Sequence, residues 1–188
     1  TRLLVEAIGN ADHKPSTLIC ASAVGYYGNR NEEELTENSP AGKGFLADVC
    51  VDWELAALEA EKLGVKVVCI RIPVVLGKNG GALDQMLPIF KLGLGGPLGS
   101  GTQYMPWIHI EDLADLMIFA AENKTLHGPV NAVSPQAINN KEFTKALAGT
   151  LKRWAIFPAP AFMLKLVLGE FAGVLLASQK VIPDKLLK

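Results

Sequence analysis

The 188-residue sequence predicts an α/β fold built on a parallel sheet, with a small helical appendage at its C-terminal end. Two observations carry that prediction. Residues 16–21 and 65–70 are apolar runs of strand length, and the stretch between them has helical periodicity. Strand, loop, long helix and second strand form a βαβ unit, and such crossovers build parallel sheets. Each run then ends in turn-rich residues, Ser22 to Gly28 and Arg71 to Gly77. Open parallel sheets collect ligands outside those carboxyl ends.

Taken in order, residues 2–10 read as a helix closed by Lys14-Pro15 before the first strand. Residues 28–44, rich in Asn, Glu, Gly and Pro, read as a long surface loop. From Phe45 onward, Leu46, Val49, Trp53, Ala56, Ala57, Ala60 and Leu63 recur at helical spacing, with Asp48, Asp52, Glu59 and Glu61 off that face. Gly64 suits the C-cap. Residues 83–92 predict a short helix around Pro88, and 105–110 a short extended segment. Asp112 is expected to cap the next helix, which carries Leu113, Leu116, Met117 and Ala120 on one face. Residues 128–133 read as another strand, and Asn139 with Glu142 as a capping box opening a helix through Leu151. Pro158 and Pro160 mark a linker, which divides the chain into a main unit, 1–157, and an incomplete small helical unit, 158–188. Residues 161–177 are apolar but contain Lys165 and Glu170, and they fall short of the roughly 20 residues of a membrane span. They are expected to dock as an amphipathic helix.

Apolar residues make up 49% of the chain, enough for a sizeable core, and the net charge is −1. Lys and Arg are scattered, without the clustered basic face that nucleic acid requires. The expected partner is therefore a small molecule, with neither nucleic acid nor membrane involved and an oligomer left open. Cys20, Cys50 and Cys69 have no metal-ligand spacing and read as core thiols in a reducing compartment. No leader-like apolar segment opens the chain, which places it in the cytoplasm as an expectation.

The two strand tips are the places for chemistry. After small residues, the hydroxyls of Ser22, Tyr26 and Tyr27 can set an O–H beside a carbonyl; equally, the tyrosines can simply pack. At the second tip Pro73 fixes φ and removes an N–H, so the strand must turn there. Backbone groups near Val75 are then free to meet a carboxamide, or else this is an edge turn with Arg71 in an ion pair. His109 is either a general acid–base or a donor of structural hydrogen bonds. The glycine-rich residues 93–101 are either a lid or a coil packed by Leu92, Leu94 and Leu98.

In this order the segments resemble the extended short-chain dehydrogenase/reductases, and within them an atypical subgroup, the epimerase-family or cell-division-inhibitor-like nucleotide-sugar epimerases. The resemblance rests on Ser22-Ala23-Val24-Gly25-Tyr26-Tyr27-Gly28, Arg71-Ile72-Pro73-Val74-Val75-Leu76-Gly77, the block from Lys91 to Gly101, Trp107-Ile108-His109-Ile110 and Gly128-Pro129-Val130-Asn131. It continues through Gln179-Lys180-Val181-Ile182-Pro183, which resembles the subgroup's small C-terminal domain. The resemblance implies the C-terminal half of a Rossmann fold and a nicotinamide cofactor, NADP or NAD. Arg2 matches an arginine that reaches the cofactor, and Ser22, Arg71, Pro73 and Val75 complete that set. Ser22 lies beside the superfamily's catalytic serine position, although alignment through the tyrosine-glycine pair places Ala23 there.

Two departures shape the expected function. The family's glycine-rich loop, which seats a pyrophosphate on a helix N-terminus, is absent, so the chain reads as N-terminally truncated. The Tyr-x-x-x-Lys dyad is also absent: its region reads Phe45-Leu46-Ala47-Asp48-Val49-Cys50, with Glu54 matching a later family glutamate. Tyr26 or Tyr27 is then the expected acid. The implied activity is that of an oxidoreductase or epimerase acting on a carbinol or ketone, including that of a nucleotide sugar. The alternative is a cofactor-binding sensor without turnover.

Overall fold

The computed structural model describes every residue except Asn79. Helix α1 (Arg2–Gly9) leads into strand β1 (Thr17–Ala23). A single 3-10 turn, Val24–Tyr27, opens a loop that holds β2 (Glu34–Leu35). Helix α2 (Phe45–Leu58) tightens into a 3-10 turn over Glu59–Leu63 and stops at Gly64, whose φ of 79° is open to glycine without a Cβ penalty. Strands β3 (Lys66–Ile72) and β4 (Val74–Leu76) follow, then α3 (Gly81–Lys91), β5 (Trp107–His109), α4 (Ile110–Glu122), β6 (Gly128–Asn131) and α5 (Asn140–Thr150). The chain closes with α6 (Ala161–Leu168), α7 (Phe171–Leu176) and β7 (Lys180–Val181).

Strands β1, β3 and β6 form a parallel sheet with β3 in the middle. β3 reads as a near-continuous apolar run because helices cover both of its faces. On one face Val68, Ile70 and Val130 pack on Leu113, Leu116 and Ala120 of α4. On the other, Val67 and Cys69 pack on Ile8 of α1 and on Ala57 and Ala60. The register sets Ser22 beside Arg71, and Arg71 beside Asn131. Three carboxyl ends thus lie side by side. Pro73 then interrupts the ladder, and β4 leaves to pair in parallel with β5.

Three expectations are corrected. The face of α2 that turns inward is Ala47, Cys50, Glu54 and Ala57, whereas Leu46 and Trp53 are largely exposed. Small side chains let this helix approach the sheet closely, and that outweighs the larger apolar stripe one residue away. Helix α4 is capped by His109, whose Nδ1 accepts the Glu111 N–H at 3.3 Å, and Asp112 lies inside the first turn. There its charge complements the helix dipole. Residues 161–177 do not form one docked helix: they break at Gly169, φ 56°, and α6 buries no residue.

The end of the chain is also more than helical. β7 pairs with β2, the Gln179 side chain donates to the Val24 and Gly28 carbonyls, and Ile182 N–H bonds Leu35 O. This strap fastens the loop that carries the tyrosines.

The Asn139 capping box is formed, both of its bonds measuring 2.9 Å. Asn139→Ala is expected to destabilise the protein by about 1 kcal/mol. A lower urea midpoint with an unchanged slope would show it.

Candidate functional site

At the strand tips the fold buries a polar network. Arg71, on β3, points toward α2 and meets Glu54 in a bidentate pair, Nε–Oε1 at 2.9 Å and Nη2–Oε2 at 2.8 Å, with side chains only 2% and 8% exposed. Ser22 Oγ donates to Glu54 Oε1 at 2.7 Å. Arg71 Nη1 donates to the Tyr27 hydroxyl at 2.8 Å, and that hydroxyl reaches Asn131 Oδ1 at 2.7 Å. The Asn131 backbone N–H in turn donates to Glu37 Oε1 at 3.0 Å, and its side chain to Ile182 O at 2.9 Å. Glu37 is itself buried. Burial works against the Arg71 charge, but the Glu54 carboxylate outweighs it and keeps the guanidinium protonated above its ordinary range. Burial raises the Tyr27 phenol, with Arg71 opposing.

This geometry separates the residues singled out in the sequence. Ser22, Tyr27 and Arg71 are brought together, yet they turn their polar atoms inward on one another. Tyr27 is fully enclosed, so its hydroxyl meets no ligand unless the network opens. The guanidinium donors are likewise committed to protein, as the ion-pair alternative for Arg71 anticipates. Tyr26 is placed differently. Its ring lies on the Arg71 guanidinium, 3.5 Å from Cζ to centroid, and edge-on to Tyr27. Tyr26 is half-buried, and its hydroxyl is neither bonded to another described residue nor sealed in. Arg2 is exposed at the start of α1. Pro73 and Val75 are half-buried at the exit from β3, where Val75 pairs with Ile108.

Glu54, Glu37 and Asn131 are members of this buried network that the sequence reading did not assign to the site. A signal existed for Glu54: it stands four residues after Cys50 and three before Ala57, on the inward stripe of α2. Glu37 and Asn131 carried none, since only the sheet register and the strap bring them together.

At the start of α2 the wall beside the tyrosine turn is apolar, for Gly25 lies against Leu46 and Cys50. Among the described residues one buried side-chain donor is left over. The indole N–H of Trp107, on the strand paired with β4, is buried without an acceptor. The Trp107 N–H, the Tyr26 hydroxyl and the backbone turn at Pro73–Val75 are hydrogen-bonding groups of the kind a nicotinamide carboxamide takes up.

Two clefts lie elsewhere. One of about 370 Å³ runs along the outer edge of β1, between Thr1, Leu4, Leu18–Ala21 and Trp53. Its walls are the edge of β1 and the side chains of Leu4 and Trp53, with no charged side chain among them. The other, about 360 Å³, sits by Asn123, His127 and Lys185 at the amino end of β6, opposite the tips.

The thiols titrate with the core. Burial pushes Cys69 up to about 12, and it raises Cys20 and Cys50 as well. Unfolding releases these thiols to about 8.5. Above that pH the unfolded chain binds fewer protons than the folded one, so stability present at neutral pH falls as pH climbs toward 12. Urea midpoints measured from pH 7.5 upward should decline, with a shallower decline in Cys69→Ala.

Comparison with known proteins agrees with this architecture. Residues 1–133 match the family model for the NAD dependent epimerase/dehydratase family, and residues 159–188 match a domain of unknown function. The chain is 46% identical to the epimerase family protein SDR39U1 homolog, chloroplastic, of Arabidopsis thaliana, over 97% of this chain and 53% of that protein. It superposes on human epimerase family protein SDR39U1 (isoform 2), solved with NADPH, at TM-score 0.92 and 39% identity, covering 99% of this chain and 63% of that one. A nucleoside-diphosphate sugar epimerase from Corynebacterium glutamicum superposes at TM-score 0.78 and 38% identity, covering 99% of this chain and 36% of that one. The chain therefore spans about half to two-thirds of the length of these SDR39U1 relatives, and about a third of the Corynebacterium protein. The inward-facing tips, the parallel sheet and these matches lead to one conclusion: the chain belongs to the NAD dependent epimerase/dehydratase family.

Proposed function

We propose that this chain carries the substrate-side half of a nicotinamide-dependent oxidoreductase or epimerase, with NADPH as the preferred cofactor. The observation that carries the reading is the register Ser22–Arg71–Asn131, which gathers three strand ends and presents Tyr26 there. The cofactor, when bound, supplies a hydride acceptor or donor at its nicotinamide carbon. The chain's own residues do the rest. Glu54 fixes Arg71, Arg71 fixes the Tyr26 ring, and the Tyr26 hydroxyl donates or accepts a proton at the substrate's carbinol or ketone oxygen. Arg2 meets the cofactor's charged groups, and Trp107 Nε1 offers a hydrogen bond to a ligand acceptor. Ketone reduction and nucleotide-sugar epimerisation both follow from hydride transfer to or from one carbon. The NADPH held by the human relative supports the cofactor, and the likeness to the Corynebacterium nucleoside-diphosphate sugar epimerase supports the sugar substrate.

The test is nicotinamide absorbance with the full-length protein against a panel of ketones and nucleotide sugars, with epimer formation followed by NMR. Cofactor-dependent turnover of one compound class is the expected result. A second reading, a cofactor sensor without turnover, is favoured by the apolar Leu46–Cys50 wall and the sealed Tyr27 hydroxyl. Tight NADPH binding with no turnover across the panel would select it.

A further inference from the structure

Residues 178–182 lie within the domain of unknown function and meet the main unit through an apolar anchor, Val181, which joins Val24, Tyr27 and Leu35 in a buried cluster. The polar groups beside that anchor hold the tyrosine turn. The Gln179 amide nitrogen donates to the Val24 carbonyl at 3.0 Å and to the Gly28 carbonyl at 2.9 Å. Both partners can only accept, so the nitrogen, with its two hydrogens, is the end of the amide that faces them. Val24 is the first residue of the 3-10 turn Val24–Tyr27, and Gly28 is its cap. A single planar group therefore brackets the turn that carries Tyr26 and Tyr27.

Ser178 extends the clamp. Its N–H donates to Asn29 Oδ1 at 3.0 Å, its carbonyl accepts the Arg30 N–H at 3.0 Å, and its hydroxyl donates to the Asn31 carbonyl. The same hydroxyl accepts the Tyr104 N–H at 3.0 Å, and the Gln179 N–H donates to the Tyr104 carbonyl at 3.1 Å. Beyond Tyr104 the chain enters β5, which starts at Trp107. Two consecutive residues thus tie together the elements that carry the Tyr26 hydroxyl and the Trp107 indole N–H. Adhesion and geometry are separable here. Burial of Val181 is non-directional and holds the strap to the loop, whereas hydrogen bonds add little net stability but fix direction. Stacking on Arg71 confines the Tyr26 ring to a plane without fixing where in that plane its hydroxyl lies. The backbone turn fixes that, and Gln179 holds the turn. We infer that Ser178 and Gln179 are positioning residues, which place the Tyr26 hydroxyl at the carboxyl ends of β1 and β3 and give the C-terminal segment a part in the chemistry. The inference rests on the acid–base role proposed for Tyr26.

Gln179→Leu in the full-length protein keeps the side chain's bulk and removes both donors. With a compound that the parent turns over, kcat should fall about tenfold to a hundredfold, the cost of a misplaced group, while the NADPH dissociation constant and the melting temperature stay near the parent's. Amides of residues 24–31 should exchange with deuterium about tenfold faster, and those of β1 and β3 at the parent's rate. Val181→Ala, which removes buried apolar volume and leaves the Gln179 donors in place, should do the reverse: lower the melting temperature and keep kcat well below the transition. Parent-like exchange over residues 24–31 in Gln179→Leu would overturn the clamp, whether or not the parent turns anything over. Faster local exchange with kcat unchanged would overturn the positioning role. So would a fall in kcat that comes with a matching loss of melting temperature and faster exchange through β1 and β3. No turnover by the parent on any compound would remove the Tyr26 role and the positioning role with it, and the exchange result would then decide the clamp alone.

Discussion

Glu54→Ala is expected to destabilise the protein by about 3–5 kcal/mol, because it leaves the Arg71 guanidinium buried without its counter-charge. Native domains hold about 5–15 kcal/mol in total, so the loss takes a large share of the stability. The remaining partners are weak substitutes. Tyr27 offers one neutral oxygen, and the Glu37 carbonyl stands 3.5 Å from Nη1. Replacing Glu54 with Leu and Arg71 with Met together should restore much of the loss, since an apolar pair of similar volume incurs no desolvation of charge. Urea unfolding of the single and double variants gives both numbers. A single-variant loss below about 1 kcal/mol, typical of an exposed pair, would mean that the tips are held by something else.

Tyr26→Phe is expected to lower turnover by about a hundredfold to ten-thousandfold, the range for removing a general acid–base. The ring and its stacking on Arg71 survive, so NADPH affinity and the melting temperature should hold. Tyr27→Phe makes the contrasting control. It removes a hydroxyl bonded to Arg71 and Asn131, and should lower the melting temperature more than the turnover. A reversed pattern, with turnover lost in Tyr27→Phe and retained in Tyr26→Phe, would move the acid role to the buried phenol.

Sequence periodicity was enough to find β1, α2, β3 and the tips that follow them, because each element writes its own local pattern. The capping box of α5 and the Gly64 stop were legible for the same reason. What periodicity could not show was the rotation of α2. Leu46 and Trp53 are the larger apolar residues, but close helix–sheet approach favours Ala47, Cys50 and Ala57, and Glu54 travels inward with them. The partner that makes a buried carboxylate tolerable is 17 residues further on, across a strand register that no local signal sets. Asn131 is more distant still, meeting Tyr27 across 104 positions, and the C-terminal strap reaches Val24 and Gly28 across 155 and 151. The fold ties Ser22, Tyr27 and Arg71 into an enclosed network and leaves the Tyr26 hydroxyl outside it, a division that no local pattern writes.

The most direct test of this account is a crystal structure of the full-length protein with reduced dinucleotide. It should place the nicotinamide ring at the carboxyl ends of β1 and β3, within contact of Tyr26 and Val75, with the Glu54–Arg71 pair unbroken behind it. A nicotinamide bound by His127 and Lys185 at the opposite end of the sheet, or along the outer edge of β1, would contradict it.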